Sequence, residues 1–595
     1  MSAYSLNRRD LDFLLFDWLK VEELLERPRF SDHSRDTLVA TLDLSETLGR
    51  DLFAPAYKKS DQVEPWLDAA GVHVIPEVAA AVREHSASGL LAGAFDEDLG
   101  GMQLPLTVAT ASVACLMAAN LSAAGFGMLT MANARLIAKF GTPAQVHAFS
   151  TPQLSGEATG TMCLSETQAG SSLADITTIA LEDDHDDFGR RFRLSGAKMW
   201  ISGADHDVTD NIIHLVLAKT PGPDGRPLPG VKGISLFIVP KVLPSGERND
   251  VVVTGLNHKM GYRGIPNCVV AFGDGFAQPA GKAGAIGYLV GEIGQGLAQM
   301  FQMMNEARIN VGLGAAMMAY RGYRQSLAYA QERLQGRLPG TTTLAAIAQH
   351  PDVRFMLMSQ KAYAEGAVAL TLYCARLLDE EQTGEAEDAD TARRLLDLLT
   401  PLAKTWPSEQ GLMANDMAIQ IHGGYGYTRD FDVEQVYRDN RLNPIHEGTT
   451  GIQAIDLLGR KLARDEGALH ALLKRIDGTI ASARSDPGLA DCATQLDQTW
   501  RRLSAHAGQI TAPLSPQTLF GATQALRAFG HGVVAWLWLD IALRCRDLTE
   551  GDAFLEGKLA ACQFFFTYEL SKIDLWLDAA IARPGTALDL DMEAF

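Results

Sequence analysis

The stretch ISLFIVPKVLPSGERNDVVVT, residues 234–254, contains the pattern that decides the fold. Two short runs rich in β-branched residues, 234–239 and 251–254, flank a cluster of Pro, Ser, Gly, Asn and Asp, which is typical of strands joined by turns. Similar runs at 212–217 and 268–272 extend the pattern in both directions. We therefore predict a middle domain that is an antiparallel β-barrel or sandwich.

Helical sequence lies on both sides of this β-rich region. From about Asp10 to Phe149 apolar residues recur at helix spacing, and long helical windows such as 303–337 and 353–378 continue to the end of the chain. The predicted fold class is α+β, with an N-terminal helical domain, the middle β-domain, a C-terminal helical bundle and an additional C-terminal helical domain. The predicted bounds of an N-terminal helical extension and these four domains are 1–35, 36–160, 161–280, 281–462 and 463–595.

Composition limits the classes of function. The 595 residues are 47% hydrophobic and carry a formal net charge of -20, which permits large cores and opposes a general attraction to nucleic acid or anionic membranes. The region after Arg460 has no basic excess, so we expect no nucleic-acid partner. Its apolar segment 533–543 is expected to pack on the rest of the protein. The acidic run 380–390 is expected to be a solvated loop between two helices.

Targeting and metal-binding patterns are missing from the sequence. Asp10, Asp12 and Asp17 interrupt the region that a signal peptide would need apolar. The uncharged stretch 99–134 contains Gly and Asn residues that fit buried helices better than a lipid-facing span, so we expect no membrane insertion. Seven cysteines without a CxxC pair argue against a zinc ribbon and a disulfide framework. We expect a reducing, cytoplasmic location and no metal.

Several familiar catalytic motifs are also missing. No Gly-x-Gly-x-x-Gly motif follows a predicted strand, which argues against a Rossmann nucleotide site. No Gly-x-Ser-x-Gly elbow is present, which argues against lipase chemistry. His446 and Glu447 are adjacent, but no second His lies four residues after the first, which argues against a metalloprotease.

Four segments combine Gly, hydroxyl and aromatic residues in a way that a plain core does not require. They are MCLSETQAGSS (162–172), KMWISG (198–203), QIHGGYGYTRD (420–430) and NPIHEGTTG (443–451). Together with a β-domain between helical domains, these segments resemble the acyl-CoA dehydrogenase family of flavoproteins over about 53–462. The additional C-terminal domain resembles the long bacterial branch of that family.

The resemblance implies an FAD site and a nearby acyl-CoA site. Met162, Leu164 and Ser165 would face the flavin ring, with Trp200 against it and Ser202 near its N5. The full set of implied FAD-binding residues is Met162, Leu164, Ser165, Gly170, Ser171, Trp200, Ser202, Arg333, Gln420, Gly423, Gly424 and Thr449. The implied substrate-binding residues are Ser171, Asn305, Arg308 and Gly448. In the family, the segment that matches 420–424 and the arginine that matches Arg333 reach the flavin of a neighbouring subunit, which implies a homodimer.

The resemblance also implies a catalytic base, Glu447, in the sequence IHEGTTGIQ. Removal of the α proton of a thioester requires a carboxylate in a water-poor site, where desolvation raises its pKa. Glu447 lies just before a predicted helix whose Ile452, Ile455 and Leu458 should face inward. Some family members carry the base on an earlier helix, at the position of Ala307 here, so this alternative site lacks a carboxylate.

The expected activity is FAD-dependent dehydrogenation of a medium- or long-chain fatty acyl-CoA to the trans-2-enoyl-CoA. An electron-transferring flavoprotein is the expected electron acceptor. Three alternatives stay open: a 3-methylmercaptopropionyl-CoA dehydrogenase, an acyl-CoA oxidase of the same fold, and a non-catabolic family member that associates with DNA. Acyl-chain length cannot be read from the sequence, because pocket depth depends on residues of several helices.

Overall fold

The computed structural model describes residues 6–222, 225, 226, 228, 230–510, 515–548, 551–582 and 585–595. The chain divides into two compact units, each described here by itself. The first unit comprises residues 1–31, 106–111 and 308–595, and the second comprises 32–105 and 112–307.

Helices form most of the first unit and the amino-terminal part of the second. In chain order they are α1 (Arg8–Asp12), α2 (Arg35–Leu48), α3 (Ala54–Gln62), α4 (Pro76–Ala87), α5 (Leu106–Ala119), α6 (Leu121–Phe140), α7 (Pro143–Gln145), α8 (Thr151–Leu154), α9 (Gly296–Glu332), α10 (Pro351–Thr383), α11 (Ala386–His422), α12 (Val433–Asn440), α13 (Thr450–Asp456), α14 (Glu466–Arg484), α15 (Ala490–Ile510), α16 (Pro516–Phe520), α17 (Ala522–Asp547), α18 (Ala553–Phe564) and α19 (Lys572–Ile581).

The strands all lie in the second unit. They are β1 (Trp66–Asp68), β2 (Gly71–His73), β3 (Ala158–Cys163), β4 (Ile179–Asp186), β5 (Gly189–Ser202), β6 (Asn211–Lys219), β7 (Ile234–Pro240), β8 (Val251–Leu256), β9 (Asn267–Phe272) and β10 (Ala285–Leu289). The four strands predicted from sequence correspond to β6 to β9. Strands β1 and β2 form a separate antiparallel hairpin.

The larger sheet closes on itself around a buried apolar core. Its order is β10-β7-β6-β4-β5-β9-β8, and β10 also pairs with β5, so β5, β4, β6, β7 and β10 form a ring. The rings of Phe192 and Phe237 meet inside this core with centroids 5.0 Å apart. The α+β class, with a middle β-domain between helical domains, is therefore confirmed.

Two of the strand pairings are parallel, which the sequence pattern did not indicate. Strand β3 runs parallel to β6, from Ala158 opposite Asn211 to Cys163 opposite Val216. Strand β4 also meets β6 in parallel, at one pair of residues. A parallel neighbour needs a crossover connection, and the β4–β5 hairpin supplies it between β3 and β6.

The acidic run 380–390 is mostly helical, so its prediction as a loop was wrong. Helix α10 continues to Thr383 and α11 begins at Ala386. Glu387 and Asp388 lie in the first turn of α11. Negative side chains there are stabilised by the unpaired backbone N–H groups and the dipole of the helix, so an acidic cluster is compatible with a helix start.

Helix α17 forms the centre of the carboxy-terminal part of the first unit. It is long and apolar enough to span a membrane, and 83% of its most apolar window is buried inside the protein. The Trp538 Nε1 donates a hydrogen bond to the carbonyl of Ala362 in α10 at 3.1 Å, and Trp536 Nε1 donates to Thr479 Oγ1 at 2.9 Å. The expected packing of the apolar segment 533–543 is thus observed within this unit.

Candidate active site

Glu447 lies in the turn between α12 and α13, and a chain of polar side chains holds this turn in place. Side-chain hydrogen bonds of 2.7–3.1 Å link His446 to Asn443, Asn443 to Asn440, and Asn440 to Asn415. The Asn415 amide then donates to a backbone carbonyl of α9 at 2.9 Å. The three asparagines are fully buried. The turn is therefore connected to both α9 and α11 through the interior of the first unit.

The backbone of the turn is conformationally demanding and is fixed by side chains. Glu447 has φ +51° and Gly448 has φ +87°, and the left-handed region is unfavourable for a residue with a Cβ. The Lys404 Nζ donates to the Gly448 carbonyl at 2.8 Å, and the Gln453 Nε2 donates to the Glu447 carbonyl at 3.1 Å. Thr449 caps α13, because its hydroxyl accepts from a backbone N–H in the first turn.

Desolvation and the nearby charges act on the pKa of the Glu447 carboxyl in opposite directions. Glu447 is exposed to solvent on one side, but desolvation by the surrounding protein is the largest effect and raises the pKa of its carboxyl. The positive charges of Lys404 and Arg308 lower that pKa. Burial also lowers the pKa of Lys404 to about 8 and that of His446 to about 3, so His446 is neutral at pH 7. A carboxyl group whose pKa is raised by desolvation is compatible with a role as general base.

Residues near the middle of α9 are engaged in ion pairs. Arg308 is buried and its Nη1 lies 2.5 Å from a carboxylate oxygen of Asp456. In the second unit, Glu306 lies 2.6 Å from Arg135 and Asn305 is half-buried. Arg308 therefore supplies positive charge to the Glu447 region while its head group is held by α13.

The apolar face predicted for the helix after Glu447 is only partly correct. Leu458 is fully buried and Ile452 is half-buried, but Ile455 is 38% exposed. Helix α13 has seven residues and continues into a π-helical segment, 457–462. Ile455 lies in α13, before the π-helical segment begins, so its exposure means that the buried face of α13 is narrower than the spacing of the apolar residues predicted.

The second unit presents the segments predicted to face the flavin ring. Met162, Leu164 and Ser165 are half-buried at the end of β3, and the Ser165 carbonyl accepts from the Met199 N–H at 3.0 Å. Gly170 and Ser171 are exposed in the loop that follows, and a Cβ at Gly170 would meet no atom within 4 Å. The end of β3 and the carboxy-terminal half of β5 are therefore adjacent.

Trp200 lies on a β-bulge and not on a regular strand. Its φ is +68°, and the pairing of β5 with β9 shifts register between Lys198 and Ile201. As a result Lys198 is buried while Trp200, two residues later, is 60% exposed. Ser202 is half-buried and accepts a hydrogen bond of 3.5 Å from Asn267. The regular alternation of side chains along β5 is therefore broken between Lys198 and Trp200, because a bulge re-aims one side chain.

A buried ion pair anchors the loop that contains Gly170 and Ser171. The Lys198 Nζ lies 3.0 Å from both the Glu166 carboxylate and the Leu164 carbonyl. The same carboxylate accepts hydrogen bonds of 2.6–2.9 Å from the backbone and hydroxyl groups of Thr177 and Thr178. These contacts hold the pKa of Glu166 well below its usual range, despite burial, mainly through Lys198. The loop is thereby tied to β5 and to the start of β4.

Arg333, Gln420, Gly423 and Gly424 lie close to one another on the surface of the first unit. All four are exposed. The ring of Tyr329, one turn before Arg333, stacks on that of His422 with centroids 4.3 Å apart, which places the end of α9 beside the end of α11. Gly423 has φ +60° and ψ −135°, a conformation that favours glycine, and it ends α11.

Sequence reasoning missed Lys404, the Glu166–Lys198 pair and the hydrogen-bonded residues Asn415, Asn440 and Asn443, which are named here the asparagine chain. Lys404 had a visible signal, because it is a single cation in the apolar run LLTPLAKTW, 398–406, and a lysine in such a run needs a specific partner. The other residues had none, since ordinary polar residues become informative only when folding brings them together.

Metal coordination finds no support in the part of the chain that the structure describes. No group of three or more His, Cys, Asp or Glu side chains there could hold a metal ion. The seven cysteines are buried and form no disulfide.

Comparison with known proteins places the whole chain in one family. Family models match consecutive segments: acyl-CoA dehydrogenase N-terminal domain at 59–157, middle domain at 161–274, C-terminal domain at 294–462, and "acetyl-CoA dehydrogenase C-terminal like" at 472–591. A 3-methylmercaptopropionyl-CoA dehydrogenase of Ruegeria pomeroyi is 35% identical, over 78% of this chain and 79% of that protein. A broad-specificity linear acyl-CoA dehydrogenase of Mycobacterium tuberculosis is 32% identical, over 100% of both chains.

A solved structure shows the same fold. The acyl-CoA dehydrogenase of Bacillus anthracis, in complex with FAD, has a TM-score of 0.72 and 21% identity over 92% of this chain and 88% of that chain. The four family models follow one another along the chain in the order of its helical, β-rich and helical regions. On this evidence the chain belongs to the acyl-CoA dehydrogenase family, the oxidoreductases that act on a CH–CH bond of an acyl-CoA.

Proposed function

We propose that this protein converts a linear fatty acyl-CoA of medium or long chain to the trans-2-enoyl-CoA, with Glu447 as the catalytic base. The observation that carries the proposal is the environment of Glu447. Its carboxylate lies on a turn fixed to α9 and α11, and desolvation raises its pKa while the charges of Lys404 and Arg308 lower it. A relative described as a broad-specificity linear acyl-CoA dehydrogenase, matched over the whole chain, supports the substrate class.

The cofactor of this family member is FAD, and the residues of the second unit fit such a group. The exposed indole of Trp200, the half-buried Met162 and Leu164 and the hydroxyl of Ser165 offer the apolar and hydrogen-bonding surface that an isoalloxazine ring needs. Gly170 leaves space for close approach to the backbone. When bound, FAD accepts the β hydrogen of the substrate as a hydride.

The chain's own residues would then handle the α proton. The α C–H bond breaks as its proton passes to a carboxylate oxygen of Glu447, and the electron pair forms the new α,β double bond while the β hydrogen leaves as hydride. Hydrogen-bond donors on the thioester carbonyl would stabilise the developing negative charge. Gly448 and Ser171 are the proposed contacts to the acyl-CoA, with Asn305 and Arg308 as further candidates.

A second substrate has a specific observation in its favour. The relative with 35% identity acts, by its name, on 3-methylmercaptopropionyl-CoA. A short thioether acyl chain is therefore the main competitor of the linear fatty chain. Anaerobic reduction of the bound flavin, followed across an acyl-CoA series that includes the thioether compound, distinguishes the two by the ratio of their reduction rates.

The remaining proposals concern partners and location. We infer a homodimer as the smallest active unit, in which Arg333, Gln420, Gly423 and Gly424 reach the flavin of the neighbouring subunit, because all four are exposed on one surface. An electron-transferring flavoprotein is the proposed acceptor, in the cytoplasm. Oxygen uptake during turnover would indicate an oxidase instead, and salt-dependent DNA binding would favour the DNA-associated alternative.

The direct test of the proposed function is Glu447→Gln. The amide keeps the size of the side chain and removes the base, so we expect a protein that binds FAD and acyl-CoA and loses at least 10²- to 10⁴-fold in turnover. Glu306→Gln is the matched control, because Glu306 is engaged with Arg135 and should be dispensable for chemistry. Substantial turnover by Glu447→Gln together with loss in Glu306→Gln would move the base to Glu306.

A further inference from the structure

Lys404 occupies an irregular part of α11 and is completely buried. Two prolines, Pro401 and Pro407, lie inside the helix on either side of it. A proline has no N–H to donate to the preceding turn. The Thr400 hydroxyl donates to the carbonyl of Asp397, which Pro401 leaves without its helical donor, at 3.2 Å. Lys404 is thus buried in a stretch of α11 where two prolines each remove one backbone hydrogen bond of the helix.

The Lys404 side chain contacts the turn 443–449, named here the catalytic turn because it carries the proposed base, Glu447. Its Nζ donates to the Gly448 carbonyl at 2.8 Å, and the Gln453 amide approaches the same oxygen at 3.4 Å. Glu447 precedes Gly448 and has a left-handed backbone that costs about 1 kcal/mol or more for a residue with a Cβ. A strained turn of this kind persists only when the surrounding residues stabilise it. Lys404 and Gln453 are two side chains that donate hydrogen bonds to the carbonyl groups of the turn.

The other charges near Lys404 are already compensated. Arg308 is paired with Asp456 at 2.5 Å, and Glu409 makes two contacts with Arg527 at 2.7 and 3.1 Å. No salt bridge joins Lys404 to a carboxylate in the described part of the chain. Among the charged groups that act on the pKa of Lys404, Glu447 has the largest effect. Lys404 and Glu447 are therefore the two charged groups of this region that no salt bridge in the described part of the chain compensates.

We propose that Lys404 is the positioning residue of the catalytic base: it fixes the Glu447–Gly448 turn through the Gly448 carbonyl, and its positive charge favours the ionised form of the Glu447 carboxylate. This inference rests on the proposed role of Glu447. Lys404 touches neither reacting atom in this proposal, and it acts through Glu447.

The sign of the electrostatic effect follows from the groups that face Glu447. Desolvation raises the pKa of Glu447, and Lys404 and Arg308 lower it. The pKa of Lys404 is about 8, so Lys404 carries its charge at and below pH 7. The pKa of His446 is about 3, so His446 is neutral near pH 7. Removal of the Lys404 charge therefore moves the pKa of Glu447 upward.

The test uses the FAD-loaded enzyme and two substitutions, Lys404→Met and Lys404→Gln. Glutamine retains an N–H donor for the Gly448 carbonyl and removes the charge, whereas methionine removes both. We expect the acidic limb of the kcat/KM profile to move upward by about one pH unit in both variants, and kcat at its pH optimum to fall further in Lys404→Met. Lys474→Gln, on the exposed face of α14, makes the same charge change and should leave the profile unaltered.

A second readout does not depend on turnover. Infrared difference titration of the resting protein follows the carboxyl C=O band of Glu447, identified by its loss in Glu447→Gln, and should show the same upward shift in both Lys404 variants. An unshifted titration in Lys404→Gln overturns the electrostatic part, and an unaltered kcat in Lys404→Met overturns the anchoring part. If Lys404→Met fails to fold, Lys404→Gln still decides the electrostatic part.

The outcomes also separate this inference from the proposed function. If Glu447→Gln retains turnover, Glu447 is not the base and the proposed function fails whatever the Lys404 variants do. If Glu447→Gln is inactive and the Lys404 variants keep the wild-type profile and turnover, only the role of Lys404 is wrong.

Discussion

Replacement of Gly312 by alanine should destabilise the first unit and weaken catalysis together. Gly312 lies where α9 approaches the irregular part of α11, and a Cβ at this position would lie 1.9 Å from the Ala403 carbonyl oxygen. The contact must open by about 1 Å, against backbone atoms that cannot rotate away. Overpacking of this kind costs about 3 kcal/mol at the upper end of its range, and the better helix propensity of alanine returns about 1 kcal/mol. We expect a net loss of about 2 kcal/mol.

The same displacement should reach the catalytic turn. Ala403 precedes Lys404, so a shift of about 1 Å in this part of α11 would strain the 2.8 Å hydrogen bond from Lys404 to the Gly448 carbonyl. Misplacement of a catalytic group by about 1 Å can cost 10²-fold in rate. Urea unfolding followed by circular dichroism measures the stability, and steady-state kinetics of the FAD-loaded enzyme measures kcat.

A matched control separates this clash from the general effect of alanine in a helix. Gly478 lies in α14, and a Cβ there would meet nothing within 4 Å. Gly478→Ala should therefore raise the free energy of unfolding by about 0.5–1 kcal/mol and leave kcat unchanged. If Gly312→Ala proves as stable and as active as Gly478→Ala, the close approach of α9 and α11 does not constrain the catalytic turn, and the reasoning is refuted.

Two further substitutions test the anchors described above. Lys198→Met should lower the fraction of protein that retains FAD, because it leaves the buried Glu166 carboxylate without its cation. Such a loss costs about 3–5 kcal/mol in comparable buried pairs. The flavin-to-protein absorbance ratio measures the retained FAD, and Lys232→Met, at an exposed lysine, is the control. Asn440→Ala should lower kcat more than it alters KM and speed hydrogen exchange in the turn 443–449, because it interrupts the asparagine chain to α9. Unchanged exchange in that turn would show that the chain is not its anchor.

Much of the architecture follows from local sequence. The β-branched runs that form β6 to β9 alternate with clusters of turn residues, and short runs of this composition favour β-strands over helices. The Glu-Gly-Thr turn and the exposed Trp200 segment were also visible, because glycines and hydroxyls cluster there without a packing reason. Helix spacing was less reliable beyond Glu447, because Ile455 of α13 is exposed although its spacing predicts an inward-facing residue.

Tertiary structure alone decided which polar residues support the site. Lys404 is 43 residues before Glu447 in the sequence, and their electrostatic relation exists only because α11 passes behind the catalytic turn. The asparagine chain likewise joins residues of α11, α12 and the turn. The bulge that exposes Trp200 depends on the register of β5 against β9. Each of these is a long-range contact, and a sequence pattern records the spacing of neighbours along the chain but not the distance between groups that folding brings together.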